Sequence, residues 1–276
     1  MFEAFVWMFK KENFKKHFML LATLSPILYV AGFVVAVLAL LVGGYGQIDT
    51  YIMLGVAVLL WLSGGCLPSG YFYDMTEKII DRETRYTASN IYDGKAPKSY
   101  FVFDLPEFNL FKHIWRGIAS IIATSLMILP YLLLMIVSIF TGVLTGTLYQ
   151  VNPLIYIGVY FFYCFFFPAL LWNYARRNSV FAVLNIFKAI NIIGNYTFAY
   201  IWRVVVFILI FAFNYIIDHF IVEIAGLSST STVDDISVVK IITMLLVFGV
   251  IWVKNLYFWF VYAYLLGTLA PSDEAA

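Results

Sequence analysis

Residues 241–268 read IITMLLVFGVIWVKNLYFWFVYAYLLGT, which is apolar on both sides of a single lysine, Lys254. At about 1.5 Å per residue, a helix of this length can cross a hydrocarbon core about 30 Å thick. A charged side chain at that depth costs roughly 2.5–3.5 kcal/mol, so it needs a partner, a water-filled cavity or a function. The stretch therefore predicts a membrane-spanning helix with a polar site inside it.

The composition of the whole chain places it in the same class. Hydrophobic residues make up 63% of the sequence and charged residues 12%, and the mean hydropathy is +0.90. A soluble domain with this composition would expose too much apolar surface to stay dispersed. We therefore expect an all-α, polytopic transmembrane helix bundle that forms a single integral membrane domain over residues 1–276.

Six stretches are long and apolar enough to span a bilayer. The predicted spans cover residues 18–43, 51–73, 117–145, 154–174, 197–225 and 238–268. Short connections between successive spans predict three hairpins. The longest connection, residues 74–116, is predicted to be a cytoplasmic loop.

The distribution of basic residues predicts the orientation. Of the 17 lysines and arginines, all except Lys240 and Lys254 lie before the first span, between the second and third spans, or from the end of the fourth span to the start of the fifth. The loops at residues 44–50, 146–153 and 226–237 contain none. By the positive-inside rule, both termini are cytoplasmic, and we expect the plasma (inner) membrane of a prokaryote.

Similar short motifs precede the first span of each hairpin. They read Asn13-Phe14-Lys15-Lys16-His17, Asn109-Leu110-Phe111-Lys112-His113 and Asn185-Ile186-Phe187-Lys188. They indicate either a duplicated hairpin unit or the general preference of cytoplasmic membrane boundaries for aromatic and basic residues. Residues 2–9 and 180–190 are further predicted to be interfacial amphipathic helices, the second with Val180, Leu184 and Phe187 on one face.

Several classes of function find no support in the sequence. Loop 74–116 carries seven basic and seven acidic residues, so no nucleic-acid partner is expected. The two cysteines, Cys66 and Cys164, lie in apolar stretches and indicate neither disulfides nor a metal site. No catalytic motif is present, and we expect no enzyme activity, no cofactor and no metal.

Four short motifs carry a family resemblance. They are Gly70-Tyr71 at the end of the second span, Leu105-Pro106-Glu107-Phe108 before the third, Pro168-Ala169-Leu170 late in the fourth, and Asn173-Tyr174-Ala175 at its end. With these motifs, residues 9–215 resemble an uncharacterised prokaryotic membrane family, domain-of-unknown-function family 4013. The segment between Tyr71 and Leu105 is longer than the family pattern. The resemblance implies a multi-pass architecture and no particular activity.

Polar residues form a stripe on each of the last two spans. Arg203, Asn214 and Asp218 fall within about 60° of one another on the fifth span, since 3.6 residues make one turn. Lys254 shares a face of the sixth span with Thr243 and Tyr257. Helical rise places Asp218 about 10 Å further out than Lys254. We therefore predict a hydrated polar cavity formed by Lys254, Asp218, Asn214, Arg203, Thr243 and Tyr257, with a direct ion pair only if a helix tilts or the lysine is extended. The alternative is an interhelical network that only holds the bundle together.

Two functions remain open at this point. In the first, the protein binds or transports a small solute, ion or lipid through the polar cavity between spans five and six. In the second, it is a non-transporting scaffold or accessory subunit whose cytoplasmic loop and interfacial helices contact lipid headgroups or a partner protein. Membrane lipids are expected partners in both, and a homo-oligomer through the second or third span is compatible with either.

Overall fold

The computed structural model describes residues 14–42, 48–90, 105–145, 153–224 and 238–269 of the chain. Within these ranges the protein is helical and contains no strand, which confirms the all-α fold class. The helices are α1 (Phe14–Val42), α2 (Ile48–Asn90), α3 (Leu110–Thr145), α4 (Pro153–Arg177), a 3-10 helix (Val180–Leu184), α5 (Ile186–Asn195), α6 (Thr197–Ile224) and α7 (Val238–Gly267).

Four of these helices have the length and composition of membrane spans. They contain the apolar stretches Lys15–Val42, Ile48–Asp81, Thr197–Ile224 and Ile242–Gly267. Only 17% to 28% of the residues in their apolar windows are buried, so most of this surface faces outward and suits lipid. Helices α3 and α4 include the predicted spans 117–145 and 154–174, but the count of six spans, the hairpins and the orientation stay predictions. The predicted interfacial helix at residues 2–9 lies outside the described residues.

The predicted loop 74–116 is shorter than the sequence analysis expected. Helix α2 continues to Asn90, beyond the predicted second span, and α3 begins at Leu110. The extension of α2 is held by apolar side chains, since Met75, Ile79 and Ile80 are buried. Residues 74–90 and 110–116 are therefore helical, and residues 91–104 lie outside the described part of the chain.

The chain clusters into two compact units, and the first is made from Met1–Pro68 and Val205–Leu265. In this unit the Tyr29 ring meets the rings of Trp61 and Trp252 edge-on, each with centroids 5.7 Å apart. Ser25 Oγ donates to the Gly64 carbonyl, and a Cβ at Gly64 would lie 3.0 Å from the Tyr29 ring. Glycine therefore allows α1 and α2 to approach closely.

The second unit is made from Ser69–Val204 and Leu266–Ala276. Its core contains the fully buried rings of Trp172, Tyr174 and Tyr200. Tyr73 meets Tyr174 edge-on at a centroid distance of 4.8 Å. Aromatic side chains of this size contribute most of the buried area, so α2, α4 and α6 share one core in this unit.

The predicted interfacial helix at residues 180–190 is two short helices and not one. The 3-10 helix ends at Leu184, and α5 begins at Ile186, because Asn185 leaves helical geometry and caps α5. Asn185 Oδ1 accepts a hydrogen bond from the Lys188 backbone N–H at 3.0 Å. Val180 packs against the core, whereas Leu184 and Phe187 are exposed, so the predicted common face is divided.

The motif before α3 forms the same cap as the motif before α5. Asn109 Oδ1 accepts from the Lys112 backbone N–H at 3.0 Å, which matches the Asn185 cap. The aromatic residue two positions after each asparagine, Phe111 or Phe187, is exposed. The shared motif therefore encodes a helix start with an outward-facing ring, while Asn13 of the first motif lies outside the described residues.

Replacing Asn185 with alanine is expected to lower the free energy of unfolding by about 1 kcal/mol, because the backbone N–H of Lys188 loses its acceptor. Denaturant titration of the purified protein in micelles measures this change. Asn195, which is exposed at the other end of α5, provides the matched control. Equal losses for Asn185→Ala and Asn195→Ala would contradict the capping role.

Candidate functional site

The candidate site lies in the first compact unit, where α6 and α7 present opposite charges to each other. Lys254 Nζ donates to Asp218 Oδ1 at 2.5 Å and to the Asn214 backbone carbonyl at 3.0 Å. The side chains of Lys254 and Asp218 are 14% and 29% exposed. The ammonium also lies 5.9 Å from the centre of the Phe258 ring, within the range of a cation–π interaction.

The structure contains the direct ion pair that the sequence left open for Lys254 and Asp218. Helical rise alone predicted a gap that only tilt or an extended lysine would bridge. The structure shows contact between the charged atoms. The flexible four-carbon stem of lysine gives its ammonium a reach that a count of helical turns does not include. Whether a hydrated cavity adjoins the pair stays a prediction.

Asn214 connects the ion pair to a residue that sequence reasoning missed. Its backbone carbonyl accepts from Lys254, and its side-chain Nδ2 donates to Asn255 Oδ1 at 3.0 Å. Asn255 follows Lys254 directly, so two adjacent polar residues in an otherwise apolar stretch were the available signal. The two helices are therefore joined by an ion pair and by an amide–amide hydrogen bond.

The other predicted site residues have different positions. Arg203 belongs to the second compact unit, where its Nη1 donates to the Leu269 carbonyl at 2.6 Å. Thr243 and Tyr257 lie half-buried on α7 with Lys254. Of the six residues predicted for the site, Asp218 and Asn214 are the ones that the structure places in hydrogen-bond contact with Lys254.

A second cluster of charges, which the sequence analysis did not single out, is centred on Asp74 of α2. Arg116 of α3 donates through Nη1 to Asp74 Oδ1 and, at 2.5 Å, to Glu77 Oε2. Arg116 Nη2 also donates to the Ala175 carbonyl of α4 at 3.1 Å. Because Asp74 and Arg116 are 2% and 3% exposed, this cluster joins three helices through buried charge.

Two more basic groups approach the other oxygen of Asp74. His113 Nδ1 and Lys112 Nζ each lie 3.0 Å from Asp74 Oδ2. His113 is fully buried, and its ring meets the ring of Tyr71 edge-on with centroids 5.1 Å apart. Neither Asp74 Oδ2 nor the two imidazole nitrogens makes a well-aligned hydrogen bond, so these contacts are electrostatic.

Close packing of the backbone supports the Asp74 cluster. A Cβ at Gly70 would overlap the backbone carbonyl of His113, so α2 and α3 meet at a distance that only glycine permits. Tyr174 donates its hydroxyl to the Arg116 carbonyl at 3.2 Å. The arrangement fixes the ends of the helices and keeps the carboxylate of Asp74 beside the Arg116 guanidinium and the Lys112 ammonium.

The chemistry of both sites is that of charge pairing. Among the described residues there is no group of three or more histidine, cysteine, aspartate or glutamate side chains that could hold a metal ion. Cys66 is buried and free, and the side chain of Cys164 lies outside the described part of the structure.

Comparisons of the chain with protein-family models, with curated proteins and with solved structures find no match. The resemblance to family 4013 therefore stays a prediction. The fold and the composition define only the class of the protein. Its described residues form helices without strands, and four of these helices are suited to a membrane.

Proposed function

We propose that the protein is a six-span integral membrane protein of a prokaryotic plasma membrane with both termini in the cytoplasm. It binds or moves a small solute, ion or lipid at a polar site between α6 and α7. The single observation that carries this proposal is the ion pair between Lys254 and Asp218 within two apolar helices. Ionisable residues inside membrane helices typically mark substrate and ion pathways.

The site offers two ways to exchange partners. An anionic group on a solute can take the place of Asp218 beside the Lys254 ammonium. A proton or a cation can neutralise Asp218 and release Lys254, which keeps the Asn214 carbonyl as an acceptor. The two exchanges balance only when they occur together, because the anion then pairs with Lys254 while the proton or cation neutralises Asp218, and neither charge is left alone among apolar side chains.

Water access to position 254 tests the proposal. In a Cys66→Ser, Cys164→Ser background, we would treat Lys254→Cys in right-side-out and inverted vesicles with a membrane-impermeant maleimide. Labelling from at least one side is expected, because a binding pathway must admit water to the pair. The same measurement is repeated on the double variant Lys254→Cys, Asp218→Asn, because the single variant leaves the carboxylate of Asp218 unpaired.

Two cysteines in predicted loops serve as controls and test the orientation. Ser179→Cys, at an exposed position after α4, is expected to react in inverted vesicles only. Ser229→Cys, in the predicted loop 226–237, is expected to react in right-side-out vesicles only. If both controls react as expected and position 254 never does, the ion pair is structural and the transport proposal is rejected.

A scaffold or accessory subunit is the second candidate function. The observation in its favour is the exposed apolar surface of the 3-10 helix and α5, which lies beside basic residues at the end of α4. Such a surface fits lipid headgroups, and a partner protein or a second copy of the chain would add to it. An unlabelled position 254 favours this candidate.

A further inference from the structure

The ion pair between α6 and α7 carries no net charge, and this limits what can replace it. Lys254 Nζ lies 2.5 Å from Asp218 Oδ1, within two apolar helices. A solute with a single charge would pair with one of these residues and leave the other charge without a partner, which is costly. A solute that carries both a negative and a positive group pairs with both residues at once, so the net charge of the site does not change.

Asn214 adds a requirement for a hydrogen-bond donor. Its backbone carbonyl accepts from Lys254 Nζ, and its Nδ2 donates to Asn255 Oδ1, both at 3.0 Å. Its other side-chain atom, Oδ1, is buried and accepts no hydrogen bond from any residue that the structure describes. A buried acceptor without a donor is costly, so an N–H group that reached Asn214 Oδ1 would be bound favourably.

The positive group of the solute is therefore an ammonium that keeps its hydrogens. Asn214 and Asp218 are four residues apart on α6, which makes them neighbours on one face of the helix. A primary ammonium has three N–H donors and can serve the carboxylate of Asp218 and Asn214 Oδ1 together. A quaternary ammonium has no N–H group and would leave Asn214 Oδ1 without a partner. The negative group of the solute pairs with Lys254, which binds an anion as a point charge, so a carboxylate and a phosphate both fit.

The contact between Lys254 and Asp218 favours a compact solute. Because these two charges touch, a solute whose own charges lie close together requires the smallest separation of α6 from α7. An α-amino acid meets this condition, since its ammonium and carboxylate are attached to the same carbon. One zwitterion also loses its translational freedom once, whereas a separate anion and cation would each lose theirs.

We propose that the site between α6 and α7 binds a small zwitterion. Its primary ammonium is bound by Asp218 and Asn214 Oδ1, and its adjacent carboxylate or phosphate is bound by Lys254. Both a free α-amino acid and the headgroup of an aminophospholipid have this chemistry. The inference rests on the proposed function, because it names the solute class of the same site. In the bound state each charge of the pair has a new partner, and Lys254 keeps the Asn214 backbone carbonyl as an acceptor.

Thermal unfolding of the full-length protein with candidate ligands tests this inference. Protein would be reconstituted in nanodiscs of phosphatidylcholine, whose headgroup has no N–H donor, and its Tm would be measured with each of the common amino acids. At least one amino acid is expected to raise the Tm. Compounds that carry only one of its two charged groups, such as acetate and methylamine in the case of glycine, are expected to raise the Tm less. An equal rise with a singly charged compound would overturn the inference.

A second set of nanodiscs distinguishes a free solute from a lipid. It contains phosphatidylethanolamine in addition to phosphatidylcholine, and no amino acid is added. A rise in Tm with phosphatidylethanolamine but with no amino acid would identify the zwitterion as a lipid headgroup. A rise with an amino acid alone would identify a soluble zwitterion. If neither the amino acids nor phosphatidylethanolamine raises the Tm, the inference is wrong.

Two asparagine variants separate contact with the zwitterion from packing of the helices. Asn214→Ala and Asn255→Ala both remove the hydrogen bond between these side chains, but only Asn214→Ala removes the unpartnered acceptor. Asn214→Ala is expected to bind the stabilising amino acid or lipid at least about tenfold more weakly than Asn255→Ala does, because a hydrogen bond to an ammonium is lost. Equal affinities of the two variants would contradict the role of Asn214 Oδ1.

Labelling at position 254 distinguishes failure of this inference from failure of the proposed function. If Lys254→Cys is labelled and no zwitterion stabilises wild type, water reaches the site but the solute class is wrong. If position 254 is never labelled and no zwitterion stabilises wild type, both the solute class and the transport proposal are rejected.

Discussion

Replacing Asp74 with alanine is expected to lower the free energy of unfolding by about 3–5 kcal/mol, because it leaves the buried guanidinium of Arg116 without its buried carboxylate partner. Among the ion pairs of the described residues, Arg116 would keep only Glu77, and the buried ring of His113 would lose the carboxylate oxygen that lies 3.0 Å from its Nδ1. Titration of purified Asp74→Ala with denaturant in micelles measures the loss. The amount of protein in the membrane should fall in parallel, since a loss of this size is a large fraction of a typical stability of about 5–15 kcal/mol.

Asp81 provides the control for this prediction. It lies two turns further along α2 and is exposed, so Asp81→Ala should change the free energy of unfolding by no more than about 0.5 kcal/mol. Asp74→Asn should fall between the two, because the amide keeps one acceptor but no charge. Similar stability of the Asp74→Ala and Asp81→Ala proteins would show that the buried cluster does not hold the helices together.

The Asp74 cluster could be predicted from the positions of its residues in the sequence, but not from the composition of residues 74–116. Asp74 directly follows the predicted second span. Lys112, His113 and Arg116 lie just before the third span. Because His113 and Arg116 come one and four residues after Lys112, all three lie toward one side of a helix. Opposite charges at the adjoining ends of consecutive helices indicate pairing. The balanced charge of residues 74–116 concealed this, because a net count does not show which side chains are buried.

The helices themselves could be predicted well because hydrophobic length is a strong signal. The ends of α2 and α3 were less accessible, since burial of Ile79 and Ile80 depends on neighbours that are distant in sequence. The break between the helices at Asn185 shows that a recognised sequence motif does not by itself reveal its structural role. The motif Asn185-Ile186-Phe187-Lys188 was recognised as a repeat, but its role as a helix cap follows only from the bond between Asn185 Oδ1 and the Lys188 N–H.

The Lys254 site shows where helical periodicity succeeds and where it does not. Periodicity placed Asp218 and Asn214 on one face of α6, and the structure brings both to Lys254. It also grouped Arg203 with them, although Arg203 bonds the Leu269 carbonyl in the other compact unit. The helical angle between residues shows which of them share a face of one helix. Whether they contribute to the same site also depends on which neighbouring helix lies beside each turn.

Lys254→Met and Asp218→Asn are each expected to lower the free energy of unfolding by about 2.5–3.5 kcal/mol, because each leaves a charge unpaired among apolar helices. The double variant should recover much of this loss, since it contains neither charge. If the double variant loses only about 1 kcal/mol, a double-mutant cycle measured by denaturant titration in micelles gives a coupling energy of about 4–6 kcal/mol between positions 254 and 218.

Glu223→Gln on the same helix is the control, because Glu223 is exposed and its change should not couple to Lys254→Met. A coupling energy near zero between positions 254 and 218 would contradict the ion pair. The cycle also separates stability from function, because the double variant regains the fold without the charges. If it also regains whatever solute movement wild type shows, the charges serve only the fold. If stability returns and movement does not, Lys254 and Asp218 act on the solute, since neutral methionine and asparagine hold the helices but offer no charge to exchange.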